Sequence, residues 1–271
     1  MKVAITGATG FLGRYLVSYL LDNLYDVLII TRGEERAKEY LPAGVNVYVT
    51  DYSFESLCEG LKEVETIIHL AAQTMQRDSD PFRVSQFFAV NITMTENLLL
   101  AAKQVGVQKV CQMSSNSVYS SENKIPFNEK DNPIPATIYG VSKVYAEKLG
   151  EYFSYKSEVK VISLRLARLF GYGERSSVVF TKYMNLANDG KLLEVWGEGK
   201  TRIEYLYVKD AVVAIENAVR MDIPNGIYNV GVNRSYSVLE IAKSVNIITG
   251  NTDNLIIDKS KLEGGYQISY I

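Results

Sequence analysis

The sequence predicts an α/β protein built on a doubly wound parallel sheet, and three observations carry that reading. Short β-rich runs alternate with helix-period segments through the first two thirds of the 271 residues. The first strand runs directly into a glycine-rich turn that opens a helix. The composition, 47% hydrophobic and 22% charged, is that of an ordinary globular chain able to bury a large core.

Lys2–Thr6 reads as the first strand. Behind the turn, Leu12, Tyr15, Leu16, Tyr19 and Leu20 recur at three- and four-residue intervals, the apolar stripe of a helix lying on a sheet. Val27–Thr31, Val45–Val49 and Thr66–Leu70 read as the next strands, Glu96 to Val105 as a Leu- and Ala-rich helix, and Lys109–Met113 and Val159–Leu166 as further strands. After about Leu169 the rhythm changes. A helix over Val178–Asn188 precedes short strands near Leu193–Trp196 and Tyr205–Val208, a helix Ala211–Arg220, a strand Tyr228–Val230 and a helix Val238–Ile248. The expected division is a dinucleotide-binding domain over 1–168 and a smaller α/β lobe over 169–271, whose end from Gly264 to Ile271 lacks a closing helix and reads as incomplete.

Charge and special residues exclude several classes. The 29 basic and 31 acidic residues are scattered, with a net charge of −2, so neither nucleic acid nor an anionic membrane surface is expected as a partner. No apolar run reaches the ~18 residues of a membrane span, and Gly7 interrupts the N-terminus before a signal core forms, so a cytoplasmic location is expected. Cys58 and Cys111 make neither a disulfide framework nor a zinc site and read as core positions. His69, the single histidine, sits in the apolar run Ile67 to Ala72 without metal or triad partners and reads as structural; no metal is expected.

The turn Gly7-Ala8-Thr9-Gly10-Phe11-Leu12-Gly13 lies between a strand and a helix. Glycines there let the backbone bend and approach a pyrophosphate closely, while the helix N-terminus offers N–H groups to it. At the end of the second strand stand Thr31 and Arg32 rather than the acidic residue that binds the ribose hydroxyls of NAD. Arginine pairs with a 2′-phosphate, so of NAD and NADP the local chemistry leans to NADP. Asp51, just past the third strand, is placed either to accept from an adenine amino group or to cap the helix that starts near Ser53.

Tyr139-Gly-Val-Ser-Lys143 puts a phenol and an ammonium one helical turn apart, and the ammonium favours the phenolate a general base needs. The pattern alone means little. Chance places about one such pair in a chain this rich in Tyr and Lys, and Tyr152/Lys156 and Tyr205/Lys209 share it. Context singles out Tyr139: it begins a helix after a proline-rich loop and follows a strand whose carboxyl end carries Ser114-Ser115-Asn116-Ser117-Val118-Tyr119.

These residues, together with His69-Leu-Ala-Ala72 and Asn91 followed by Asn97-Leu-Leu, resemble the extended short-chain dehydrogenase/reductase family, in its NAD-dependent epimerase/dehydratase branch of Rossmann-fold enzymes. The resemblance implies that Tyr139 is the general base, that Lys143 holds the nicotinamide ribose and lowers the Tyr139 pKa, and that Ser115 binds the reacting sugar hydroxyl. It implies cofactor contacts from Gly7, Thr9, Gly10, Phe11, Leu12, Gly13, Arg32, Asp51, Tyr52, Leu70, Ala71, Ala72 and Asn91, besides Tyr139 and Lys143. Substrate contacts would come from Ser115, Asn116, Arg168 and Arg202. Arg168 stands where the family commonly has a diphosphate-binding Asn, and Ile203 where it has an Arg, with Arg202 one place away. Sugar-nucleotide 4,6-dehydratases of the branch carry Asp-Glu after the serine, whereas Asn116-Ser117 here resembles a 4-epimerase. The expectation is an NAD(P)-dependent epimerase of a nucleotide sugar, acting at C4 through a keto intermediate. Its rivals are an NADPH-consuming keto-sugar nucleotide reductase and a cofactor-binding protein without turnover. The helices Asn91–Val105 and Tyr139–Tyr155 resemble those of the family's four-helix dimer interface, so a homodimer is expected.

Overall fold

In the computed structural model, which describes residues 1–75, 80, 82–174 and 178–263, the seven strands of the main sheet run parallel in the order β10-β6-β5-β4-β1-β2-β3. The chain lays down β1 (Lys2–Thr6), α1 (Phe11–Asp22), β2 (Asp26–Thr31), α2 (Glu34–Tyr40), β3 (Asn46–Val49), α3 (Phe54–Gly60) and β4 (Thr66–His69). Then come α4 (Ser85–Phe87), a π-helical turn (Phe88–Thr93), α5 (Met94–Val105), β5 (Lys109–Ser115), a 3-10 turn (Asn116–Val118), α6 (Ile138–Lys156) and β6 (Lys160–Leu166). The remainder is β7 (Arg168–Phe170), α7 (Val179–Asn188), β8 (Leu193–Trp196), β9 (Arg202–Tyr207), α8 (Val208–Arg220), β10 (Gly226–Val230), β11 (Ser235–Ser237), α9 (Val238–Thr249) and β12 (Leu255–Asp258).

Period-two alternation divides the strand residues between two cores. Val3 and Ile5 of β1, Ile29 of β2, Ile68 of β4 and Ile162 of β6 face Leu16, Val17 and Leu20 of α1 and Val212 and Ile215 of α8. Ala4, Ile30, Ile67, Val110 and Val161 face the other way, onto Leu57 and Leu61, Leu98 and Leu99 of α5, and Phe153 of α6. Sheet order reverses between β1 and β4, whose ends pair Thr6 with His69. Such a reversal opens a crevice beyond the carboxyl ends of the strands, the usual ligand position in an open α/β sheet.

One part of the expected organisation differs. The strand expected at Tyr228–Val230 in the smaller lobe is the edge strand of the main sheet, pairing Tyr228 with Leu164 of β6, and α8 packs into the same core as α1. The chain therefore leaves the sheet after β6, builds part of the lobe, returns for α8 and β10, and leaves again. The lobe proper holds the sheets β11-β9-β7 and β12-β8, with α7 and α9 around Tyr183, Leu193, Val195, Tyr205, Ile241 and Val245. Strands β11 and β12 have no counterpart in the sequence expectation, and the chain end from Gly264 to Ile271 lies outside the described residues. No helix among the described residues is long and apolar enough to cross a membrane. Cys111 is fully buried and Cys58 partly so, and burial raises both thiols.

Candidate active site

The glycine turn is built against the crevice. Gly7 adopts φ +71°, and a Cβ there would lie 2.6 Å from the Ala71 nitrogen, so the turn after β1 and the Leu70–Ala72 segment after β4 touch backbone to backbone. A Cβ on Gly13 would meet the carbonyl oxygens of Gly7 and Ala8 at 2.5 Å. Gly10 caps α1 in extended conformation, so the first-turn N–H groups around Phe11 and Leu12 point away from the helix body, where an anion is stabilised. Thr9 and Gly10 stay accessible on the turn. This arrangement fits a dinucleotide pyrophosphate: the space an ordinary side chain would fill is already taken by backbone, and donors surround what is left.

At the adenosine end, Arg32 is exposed just beyond β2 and has no salt-bridge partner among the described residues. Asp51 is exposed, and its Oδ1 accepts from both the backbone N–H (2.8 Å) and the hydroxyl (2.7 Å) of Ser53. Those bonds hold its carboxyl below the usual range. The α3 cap itself is Ser53, so Asp51 braces the capping residue and keeps its charge at the rim of the crevice. Tyr52 takes φ +65°, a costly conformation for an aromatic residue, secured by Asn97 donating to its carbonyl (3.0 Å) and by its own hydroxyl donating to Ile30 (3.0 Å).

The catalytic candidates converge at the end of β5. Ser115 is the last residue of that strand; its hydroxyl accepts from the Ser117 N–H (3.1 Å) and reaches the Tyr139 phenol. Tyr139 occupies the first turn of α6, which Thr137 caps by accepting from the Gly140 N–H (3.0 Å). A Cβ on Gly140 would lie 2.1 Å from the Ser117 carbonyl oxygen, so the closeness of α6 to the serine segment depends on that glycine. The other two Tyr/Lys pairs are elsewhere: Tyr152 is exposed late in α6 and Tyr205 is buried in β9.

Burial pushes the Tyr139 phenol up to about 12, opposed only by the Ser115 hydrogen bond. Burial likewise lowers Lys143 to about 8, with the Glu147 carboxylate pulling the other way. The Lys143 ammonium is 5.8 Å from the centre of the Tyr139 ring and donates to the Met113 carbonyl at 2.8 Å. The ammonium is thus engaged by that carbonyl, beside the phenol ring.

Asn91 lies buried in the π-helical turn, a local widening that recurs at functional sites. Its amide donates to the Gln73 carbonyl (2.9 Å) and to Ser142 (2.9 Å), and Ser142 donates to the Tyr139 carbonyl (2.7 Å). Asn91 thus joins the segment after β4 to the turn carrying Tyr139, a connection the sequence does not disclose. Asn116 is buried beside Ser115. Of the two arginines, Arg168 is exposed on β7, just past the carboxyl end of β6. Arg202 is instead committed within the lobe, donating to Ser235 (3.0 Å to the hydroxyl, 2.6 Å to the carbonyl) and pairing with Glu240 (3.3 Å). His69 is buried between Thr6 (2.7 Å) and Thr95 (3.0 Å), and burial lowers it to about 3.

The fold, a doubly wound sheet with a glycine turn at its crevice, is that of a Rossmann-like dinucleotide-binding protein. The model of the NAD dependent epimerase/dehydratase family matches residues 3–231, and the chain belongs to that family. Among solved structures it is similar to the UDP-N-acetylglucosamine 4-epimerase of Bacillus cereus, at 30% identity and a TM-score of 0.86, covering 97% of this chain and 87% of that one. It is also similar to MoeE5, solved in complex with UDP-glucuronic acid and NAD, at 27% identity and a TM-score of 0.83 over 97% of this chain and 87% of the other. Among curated relatives, the mouse dTDP-D-glucose 4,6-dehydratase is 26% identical over 255 residues, 90% of this chain and 72% of that protein.

Proposed function

We propose that this protein is a nucleotide-sugar epimerase that inverts C4 by transient oxidation. The observation that carries the reading is the meeting of Ser115, Tyr139 and Lys143 at the carboxyl end of β5, followed by the neutral pair Asn116-Ser117. When bound, the nicotinamide supplies a reversible hydride acceptor. The glycine turn from Gly7 to Gly13 and the first turn of α1 bind the pyrophosphate, and Leu70, Ala71 and Ala72 form the opposite wall. Ser115 donates to the sugar C4 oxygen. Lys143, turned from the Met113 carbonyl toward the phenol, would hold the nicotinamide ribose and lower Tyr139 from about 12, so that Tyr139 takes the C4 hydroxyl proton. With the 4-keto sugar turned over, the bound nicotinamide would supply the reducing equivalent to its other face, and Tyr139 would give the proton back to the C4 oxygen.

A dehydratase also needs an acid and a base for eliminating water, and Asn116 and Ser117 supply neither; this favours epimerisation over the reaction named for the mouse relative. Arg168 fits the substrate diphosphate from the lobe side. In this division of labour the crevice of the main sheet holds cofactor, and the lobe built on β7, β8, β9, α7 and α9 closes over the substrate. The MoeE5 complex supports NAD as a cofactor, whereas Arg32 favours NADP, and a second reading follows from it: a reductase of a keto-sugar nucleotide consuming NADPH. A homodimer belongs to the same reading, because Val141, Tyr145 and Tyr152 form an exposed apolar stripe on α6, with Leu100 exposed on the neighbouring α5.

The test is chromatography with mass detection of UDP-, dTDP- and GDP-sugars incubated with the protein and each cofactor. An isomer of unchanged mass is the expected product. A gain of two hydrogens with loss of NADPH identifies the reductase, loss of water a dehydratase, and silence with retained cofactor binding a protein without turnover.

A further inference from the structure

Beneath the catalytic groups lies a buried ion pair that the reaction above does not use. Glu147, fully buried one turn beyond Lys143 on α6, receives a two-pronged contact from Arg165 of β6, Nε to Oε1 at 2.8 Å and Nη2 to Oε2 at 2.7 Å. Ser114, next to Ser115 at the end of β5, donates to Glu147 Oε1 at 2.5 Å. Arg165 also donates to the Tyr119 hydroxyl (2.6 Å), which closes the segment running from Ser115. One carboxylate and one guanidinium thus tie together the three elements that carry or flank the catalytic groups. We propose that Glu147 and Arg165 are positioning residues for the reaction, fixing the Ser115 strand end against the Tyr139 helix and holding Lys143 as an ammonium.

The electrostatic half of the proposal follows from the surroundings of Lys143. The titratable or charged groups facing it are Tyr139 and Glu147 on its own helix, neutral His69 from β4, and Arg165 from β6, one step further behind Glu147. Among the described residues, Glu147 is the anionic member of this set. Without it the buried Lys143 faces desolvation and the Arg165 charge alone, and both favour the free amine.

This inference rests on the reading of Tyr139 and Lys143 as the catalytic pair, and its test is arranged so that the two fail separately. The Lys143 pKa is measured by NMR titration of protein labelled with 13C at lysine Cε, the resonance assigned with Lys143→Arg; no substrate is required. Glu147→Gln keeps the shape and one acceptor oxygen, enough for Ser114 and Arg165 Nε, while removing the charge, and is expected to lower the Lys143 midpoint by about one unit, a tenfold change in proton affinity. Arg165→Met, which leaves the carboxylate to Lys143 alone, is expected to raise it. Opposite shifts are something a purely structural pair does not produce. With a substrate in hand, Glu147→Gln moves the alkaline limb of kcat to lower pH while the cofactor Kd holds. A folded Glu147→Gln protein with an unmoved Lys143 midpoint overturns the proposal, as does failure of both variants to fold, which assigns the pair to folding alone; should Arg165→Met alone fail to fold, Glu147→Gln decides. A shifted midpoint without turnover of any nucleotide sugar supports the pair's role and overturns the epimerase reading instead.

Discussion

Replacing Gly7 with alanine separates the crevice geometry from general packing. Two costs add. An L-residue at φ +71° is strained by about 1–2 kcal/mol. The new methyl lies 2.6 Å from the Ala71 nitrogen and 2.8 Å from the Ala71 Cα and the Leu70 carbonyl carbon, contacts with backbone that no rotamer change relieves. Forced overpacking of this kind costs about 1–3 kcal/mol. The sum, about 2–5 kcal/mol, lowers the melting temperature by roughly 4–20 °C in a protein of this size, at about 2–4 °C per kcal/mol. Relief comes only by parting the turn after β1 from the segment after β4, which widens the pyrophosphate cradle, so NAD binding is expected to weaken tenfold or more, about 1.4 kcal/mol. Gly10→Ala is the control: its φ is −74°, and its Cβ would meet only the Gly7 oxygen, at 3.2 Å, so about 1 kcal/mol or less is expected. Thermal melts compare the two variants, and calorimetric titration with NAD compares Gly7→Ala with the unaltered protein. If Gly7→Ala melts no lower than Gly10→Ala and binds NAD as the unaltered protein does, the crevice account is wrong.

Tyr139→Phe is expected to abolish turnover, by a factor of about 10² or more, with cofactor affinity within twofold by titration; comparable activity would remove Tyr139 from the chemistry. Arg32→Ala is expected to weaken NADP binding about tenfold through loss of one charge-assisted contact while leaving NAD unaffected, as read by calorimetry with both cofactors. Tyr145→Glu places a charge on the exposed α6 stripe and is expected to halve the mass seen by light scattering. For pH, His69 sits at about 3 in the fold against 6.5 when free, so between those values the unfolded chain binds the extra proton. Its contribution is whole above pH 6.5 and is lost toward pH 3, at up to about 1.4 kcal/mol per unit, and denaturant titrations of a His69→Gln protein should show a correspondingly flatter acid limb.

How far the sequence speaks depends on whether a feature is local. The glycine turn, the α1 stripe and the strands from Lys2 to Leu166 are set by residues a few positions apart, and they are found where the periodicity places them. Tyr228–Val230 is equally local as a strand, but its choice of sheet is decided by β6, more than sixty residues earlier, and by α8 covering the core beside α1; nothing near it in sequence announces that return. The site divides the same way. Ser115 and Tyr139 belong to recognisable segments, and the structure brings them together. Asn91 reaches Ser142 only because a π-helical turn rotates it inward, and Glu147 meets Arg165 only because α6 lies across β6. Arg202, a candidate by spacing alone, is held by Ser235 and Glu240, which the sequence sets 33 and 38 places away. Spacing brings the Tyr139 and Lys143 side chains near one another, but the ammonium's partner, the Met113 carbonyl, lies thirty residues earlier on β5, where nothing near Lys143 in sequence announces it.

The central claim, transient oxidation at C4, is tested most directly with a nucleotide sugar carrying deuterium on that carbon, incubated with the protein and a trace of cofactor in ordinary water. The account predicts an inverted product that keeps its deuterium at C4, because the hydride taken away is the one returned. Loss of the label to solvent, or a product two hydrogens heavier that appears only as NADPH is consumed, contradicts it.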